Sequence, residues 1–477
     1  MVNIDKKRFE ELKEAEKIFP VVKEYIADEI TPTSIFLNLD GEYKFLLESA
    51  AEGEGRGRYT FFGENPFKMI SSKGRKIKIE KENEDTEEFE GNLIEVLREQ
   101  VNIDYDRAGV EIPFTGGTVG YIGYDCIRHI ERIPEGNPEE IEIPESVMMF
   151  YRNTGVYDHS RGTLSIIHNV EKDEESFEEI IENIERFFEK ITKARTRTNL
   201  KERENRKVLE LDETLKKEYC RKVEKAKEYI VNGDIFQVVL SNRFVKETDK
   251  NAFEIYRKLR MENPSPYLYY LDCRDFQVIG SSPESLVKVK NGIVETLPIA
   301  GTRPRGRDLE EDRMNAEDLL KDEKEISEHL MLVDLGRNDI GKVAKSGTVN
   351  LTRFKEIEKY SHVMHIVSEV KGELAEGKDS FDAFKACFPA GTVSGAPKIR
   401  AMEIIEELED SKRELYSGAA GYFGYSGDMD VCIAIRTVVL KNGKAYIQAG
   451  AGIVYDSVPE KEYMETVNKA RALMEVV

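Results

Sequence analysis

Apolar and polar positions alternate along the first third of the chain in short runs punctuated by glycine and aromatic residues. After an N-terminal stretch, MVNIDKKRFEELKEAEKIF, whose apolar spacing predicts a charged amphipathic helix, residues 34–50 (SIFLNLDGEYKFLLESA) predict two strands around an Asp40-Gly41 turn. GRYTFFG (57–63) and GGTVGYIGYD (116–125) continue that style, and VYDHSRGTLSIIHNV (156–170) predicts a hairpin. The period then changes to that of a charged helix over 171–194, and residues 195–210 lose apolar periodicity altogether, as a linker would. A helix is predicted at 213–232, strands at 236–244, 267–273 and 276–282, one long helix from about 308 to 335, and glycine-rich strand pairs at 417–440 and 444–455. Ser457-Val458-Pro459-Glu460 opens the last helix as a capping box with proline in the first turn. Strands and helices mix without βαβ alternation, so the expected class is α+β, organised as an N-terminal lobe (1–170), a charged helix and linker (171–211) and a C-terminal region (212–477).

Composition narrows the partners. At 477 residues the chain is long for one simple core, and an apolar fraction of 40% supports a globular enzyme. A net charge of −21 argues against nucleic acid or an anionic membrane as the main partner, and requires a local cationic site for any anionic substrate. Cys126, Cys220, Cys273, Cys387 and Cys432 are odd in number and lack a CxxC, which reads as reduced thiols. With no apolar signal core and no run long enough to span a bilayer, a cytoplasmic location is expected.

Two pairs of glutamates share one spacing, Glu325/Glu328 and Glu462/Glu465. Residues three apart share a helix face, so each segment aims two carboxylates one way. Four converging carboxylates repel unless a cation sits among them, and an all-oxygen set suits Mg²⁺ or Mn²⁺ over Zn²⁺. The simpler reading is two solvated helix faces. Three loops accompany the pairs: PIAGTRPRG (298–306), PAGTVSGAPK (389–398) and GAG (450–452), the last small enough for backbone N–H groups to approach a ligand.

The strings IFQVVLSNRF, GSSPESL, PIAGTRPRG, EISEHLMLVDLGRND, PAGTVSGAPKIRAMEII and the closing S-x-P-x-x-E-x-x-E-T-x-x-K-A occur in one order over nearly the whole chain. In them the chain resembles the chorismate-utilising enzymes and, among their branches, anthranilate synthase component I. The resemblance implies a large two-lobed β-sandwich-like core with helices packed outside. Relatives that add water carry a lysine base where this chain has Gln237, and aminodeoxychorismate synthases carry a nucleophilic lysine where it has Ala300. A glutamine cannot activate water, which fits ammonia as nucleophile, and Ala300 removes covalent chemistry at its position; both departures favour the anthranilate synthase branch.

By the same resemblance Mg²⁺ is held by Glu328 and Glu465, with Glu325 and Glu462 as second ligands or acting through water. The enolpyruvyl carboxylate of chorismate meets Arg436, Tyr416 and the backbone of Gly450, Ala451 and Gly452. Glu284 is the general acid and His365 serves the later elimination, with Gln237 and Thr302 beside them. Gly301, Thr302, Thr392 and Lys469 are further substrate contacts. Leu46-Leu47-Glu48-Ser49 resembles the family's tryptophan-inhibitor motif, with Pro266, Tyr267 and Leu268 as its partner segment and Ser49 as the chief contact. No G-x-C-x-G setting for a glutaminase is present, so a separate glutamine amidotransferase subunit is implied as the ammonia source.

Competing readings are an aminodeoxychorismate, isochorismate or salicylate synthase, a glycosidase built on paired carboxylates, and a tryptophan sensor without catalysis. The absence of Trp weakens the glycosidase.

Overall fold

Both halves of the chain contribute strands to the same two antiparallel sheets. The computed structural model describes residues 2–49, 57–83, 85–171, 176–194, 213–359 and 363–477. The expected linker at 195–210 lies outside them. In the first sheet, of 11 strands, Phe19–Ile26, Thr163–Val170, Asn153–Asp158, Tyr59–Gly63 and Phe45–Glu48 are followed by Tyr267–Asp272, Phe276–Ser282, Thr437–Lys441, Lys444–Ile453, Gln237–Glu247 and the short Gly395–Ala396. The halves meet where Glu48 pairs with Leu268 and Leu47 with Tyr269. The second sheet, of 11 strands in its main path with Asn350–Lys359 paired beside Val363–Glu373 as a twelfth, joins the halves where Gly117–Ile122 pairs with Ala419–Gly424.

The two-residue period of a strand explains how the sheets stack. Phe45, Tyr269 and Leu271 of the first sheet, and Val119, Tyr121, Val147 and Met149 of the second, belong to one buried cluster between the sheets. Their neighbours Leu46, Leu268, Tyr270, Met148 and Phe150 point the opposite way, into a second cluster packed beneath the helices. Both faces are thus buried, which is why FLLE, YLYYLD and SVMMF read as nearly continuous apolar runs rather than as clean alternation. Each such large side chain contributes roughly 1.5–3 kcal/mol on burial. The expected α+β class with helices outside a sandwich-like core is the observed one.

Three local expectations are corrected. Residues 34–50 do not form two strands: Pro32–Asn38 is a helix, because Thr31 and Ser34 form a capping box around a first-turn proline, and only Phe45–Glu48 is a strand. The long helix expected at 308–335 is two, Leu309–Lys321 and Glu323–Gly341. Asp322 ends the first and caps the second, its carboxylate accepting the backbone N–H groups of Lys324 and Glu325 at 3.1 and 3.2 Å. The last helix, Pro459–Val476, has Val458 at its N-cap and no side-chain cap; the Ser457 hydroxyl instead accepts from Val454 N at 3.1 Å. Proline does occupy the first turn there. The predicted hairpin, the 213–232 helix and the strands near 236–244, 267–273 and 276–282 match observed elements. All five cysteines are free thiols.

Candidate functional site

The strand Gln237–Glu247 pairs with Lys444–Ile453 so that Val239 faces Gly452 and Ser241 faces Gly450. Both glycines are dictated by what lies over them. A Cβ at Gly450 would stand 2.7 Å from the Tyr416 hydroxyl, and one at Gly452 would stand 2.5 Å from Gln237 Nε2. The GAG segment, Tyr416 and Gln237 therefore share one surface. The Pro459–Val476 helix crosses it, and Lys469 Nζ donates to the Gly450 carbonyl at 2.9 Å while pairing with Glu465 at 2.7 Å.

Arg436 sits in a left-handed backbone conformation, φ 52°, an uncommon state for a residue with a side chain. It donates to the Lys469 carbonyl at 3.2 Å. Burial lowers its pKa, and the neighbouring Tyr416 and Glu465 push it back up. The carboxyl of Glu284, in the turn between Phe276–Ser282 and Ser285–Lys290, is pushed up to about 7, chiefly by burial; Thr392 and Lys469 pull it down. The buried Thr392 hydroxyl faces Glu284 and, among the described residues, makes no hydrogen bond of full geometry.

His365 lies opposite Thr302 in the pairing of Val363–Glu373 with Ile299–Pro304. Its Nδ1 is 2.9 Å from the Gly301 carbonyl oxygen and 3.1 Å from Thr302 Oγ1. A carbonyl only accepts, so Nδ1 carries the proton and Nε2 holds the lone pair. Burial, first, and Arg436 lower the His365 pKa, favouring the neutral ring.

Glu325 and Glu328 project from Glu323–Gly341, and Glu462 and Glu465 from Pro459–Val476. Burial raises the Glu328 pKa first, and repulsion from Glu325 and Glu465 adds to it. Glu462 is raised by burial and then by Glu465, against a hydrogen bond from Ser457. Glu325 is raised by burial, Asp322 and Glu465, and its carboxylate lies beside Gly301. The two pairs thus feel one another across the helices. Among the described residues, no group of three or more His, Cys, Asp or Glu is gathered tightly enough to hold a metal ion unaided. As a donor set, oxygen-only ligands that repel one another against the pull of Lys324 and Lys469 fit a hard divalent cation that takes further oxygens from substrate or water.

Every residue expected at the catalytic or substrate-binding site is joined to this cluster. Sequence reading missed Lys324, whose charge lowers both Glu328 and Glu462, and the Gly301 carbonyl that fixes the His365 tautomer. The first sits one residue from Glu325 in a charged helix and carries no signal of its own.

A separate cavity of about 650 Å³ opens between the two sheets. Glu48, Ser49, Pro266, Tyr267 and Leu268 all line it. The Glu48 carboxylate, however, is bonded to Tyr256 and to Arg260, 2.9 Å from its Nε, so it is already committed within the protein. Tyr267 donates to Asp430 at 2.9 Å. Pro283 and Ser285, which flank Glu284, form part of the wall, as do Ile299 and Val367 near Gly301 and His365. Arg58, Arg161, Asp428 and Asp430 are charged lining residues that the sequence did not single out.

The family model for chorismate binding enzymes matches residues 43–475. An anthranilate synthase component 1 from Acetivibrio thermocellus is 50% identical over 473 residues, 96% of this chain and 95% of that protein. One from Aquifex aeolicus is 45% identical over 493 aligned positions, covering 100% and 98%. The crystal structure of anthranilate synthase component I from Streptococcus pneumoniae superposes with a TM-score of 0.78 at 40% identity, over 94% of this chain and 98% of that one.

Proposed function

This chain belongs to the family of chorismate-binding enzymes, and on that premise we propose that it is the chorismate-converting component of an anthranilate synthase. It takes ammonia, delivered by a glutamine amidotransferase subunit, and forms anthranilate and pyruvate in the committed step toward tryptophan. The observation that carries the reading is the Glu284 carboxyl, held to about 7 by burial and facing Thr392 and Lys469. Such a group is protonated often enough near neutrality to act as a general acid.

Chorismate is a dianion, and the two cations at this surface, Arg436 and Lys469, oppose its charge. Arg436, Tyr416 and the backbone of Gly450–Gly452 receive the enolpyruvyl carboxylate. Glu284 gives its proton to the departing C4 hydroxyl as ammonia adds at C2. Gln237 cannot take a proton from water, which suits a nucleophile that needs no activation. Neutral His365, with its lone pair on Nε2, accepts a proton in the step that releases pyruvate and leaves the ring aromatic, and Thr302 and Gly301 hold the imidazole. Glu328 and Glu465, with Glu325 and Glu462 behind them, would hold Mg²⁺, whose charge anchors the ring carboxylate when bound. The cavity between the sheets is assigned to tryptophan as feedback inhibitor, with Ser49, Pro266, Tyr267 and Leu268 at its wall; Glu48 contributes through its place in the strand, its carboxylate being paired with Arg260.

The test is a chorismate and ammonium assay, followed by anthranilate fluorescence with and without Mg²⁺. Fluorescence that needs both supports the reading. Consumption of chorismate to a non-fluorescent hydroxylated product, or no consumption, overturns it. Glutamine replaces ammonium only when the amidotransferase subunit is added.

A further inference from the structure

Arg413 is among the largest fully buried side chains, 2% exposed, and no role described above uses it. It lies between the Lys398–Leu408 helix and the Ala419–Gly424 strand. A guanidinium out of water is tolerated only when its donors are placed, and here Nε, Nη1 and Nη2 make five hydrogen bonds. Two go to Glu409, at 2.9 and 2.6 Å. The others reach the Val393 carbonyl at 2.7 Å, the Val239 carbonyl at 2.7 Å and Ser417 Oγ at 3.4 Å.

The acceptors have a common feature. Val393 follows Thr392, which faces Glu284. Val239 is the cross-strand partner of Gly452. Ser417 follows Tyr416, whose ring lies 5.5 Å from the guanidinium carbon. Glu409 extends the clamp, accepting from Ser241 N at 2.9 Å and Ser241 Oγ at 2.7 Å, and Ser241 is the partner of Gly450. One buried ion pair therefore grips the neighbours of Thr392 and Tyr416 and the strand partners of Gly450 and Gly452. Stability alone is a poor reason for it, because buried ion pairs are often no better than apolar side chains of the same volume.

We infer that Arg413, together with Glu409, is a positioning residue: it holds the Thr392 loop, the Val239–Ser241 strand segment and Tyr416 in one register, so that Glu284 and the Gly450–Gly452 backbone act on the same molecule. All five N–H donors of Arg413 are taken by protein groups, which leaves none for a substrate. The inference rests on the chorismate reading.

The test replaces the pair with apolar groups of similar volume, Arg413→Met with Glu409→Leu, and compares Tm, kcat, KM and the pH-rate profile with the wild-type chain. A wild-type chain that makes no anthranilate refutes the functional reading itself, not the clamp. With active wild type and a folded double variant of similar Tm, a misplacement near 1 Å predicts a fall in kcat/KM of about 100-fold, in kcat as well as through KM. The alkaline limb of the profile moves too, as Thr392 shifts off Glu284. Wild-type kcat/KM and an unmoved profile in the folded double variant overturn the proposal. Should the double variant not fold, Glu409→Gln decides: it keeps shape and weakens the grip, and a loss of about 10-fold in kcat/KM supports the clamp, whereas unchanged kinetics overturn it.

Discussion

His365 donates from Nδ1 to the Gly301 carbonyl oxygen across 2.9 Å, and Thr302 closes on the same nitrogen at 3.1 Å. The carbonyl of one strand thus selects the tautomer of a side chain on its neighbour. The ring then offers Nε2 as a base, while burial keeps it neutral. His365→Met removes the base and leaves Glu284 in place. The expected result is slowed pyruvate release with accumulation of aminodeoxyisochorismate, seen by chromatography of the reaction mixture. An unchanged anthranilate rate with no intermediate returns His365 to a packing role.

Glu284, proposed as the acid, carries a stability penalty whose sign follows from its shift. Its folded pKa, about 7, lies above the ordinary 4.5, so the folded state binds the proton more tightly than the unfolded state. Stability from this group is therefore present below pH 4.5 and falls as pH rises through about 7. Glu284→Gln, a permanent mimic of the protonated form, is expected to raise Tm at pH 8.5 and to leave it nearly unchanged at pH 4.5. The gain is bounded at roughly 3 kcal/mol. The same substitution should abolish amination, and wild-type turnover should decline above about pH 7 as the acid ionises. Calorimetry at the two pH values checks the first part; equal Tm shifts at both would refute it.

How much of this was legible beforehand depends on where the information lies along the chain. Glu325/Glu328, Glu462/Glu465, PIAGT and GAG are contiguous, so their spacing and chemistry can be read directly. Helical spacing alone still left the solvated reading open; the repulsion between Glu328 and Glu465 connects segments that no local pattern relates. Arg413 illustrates the limit. In sequence it is one arginine in the charged run ELEDSKRE, and its burial follows only from strands and loops up to 174 residues away. The cavity between the sheets was half legible: Leu46–Ser49 and Pro266–Leu268 stand out as segments, but Asp430 meets Tyr267 across 163 residues. Locally, the 34–50 reading failed because capping by Thr31 and Ser34 outweighed the β-propensity of Ile35 and Phe36.

Removing one carboxylate of the two-helix set tests the cation site by a readout other than turnover. Glu328 is raised by burial and by Glu325 and Glu465, so the cation-free protein is strained there once that carboxyl ionises. Glu328→Gln is expected to raise Tm in chelator at pH 8, and to lose the Tm increase that Mg²⁺ gives the wild type. Glu328→Ala and Glu465→Ala should both abolish anthranilate formation while the fold persists. A wild-type Tm indifferent to millimolar Mg²⁺, or full activity of both alanine variants with trace Mg²⁺, would sink the assignment.

Ser49 is the position at which regulation and catalysis should separate. It follows the Phe45–Glu48 strand and lines the cavity of about 650 Å³, large enough for an amino acid with an aromatic side chain. None of the residues assigned to substrate lines that cavity. The wall of that cavity includes Pro283 and Ser285, so an occupant has the segment that carries Glu284 beside it. A ligand can shift activity only through such a difference in contact between states. If tryptophan binds as proposed, Ser49→Ala is expected to delete one hydrogen bond to the amino-acid head group, worth roughly 0.5–1.5 kcal/mol, and to raise the inhibitory tryptophan concentration about 2- to 10-fold. Ser49→Phe fills the space itself and should raise it further. In both variants the uninhibited turnover should stay near wild type, with Tm measured alongside to exclude a folding defect. Inhibition curves at fixed chorismate decide the matter. An unaltered curve for the phenylalanine variant would remove tryptophan from this cavity, since a side chain of that size cannot share a pocket built around a serine.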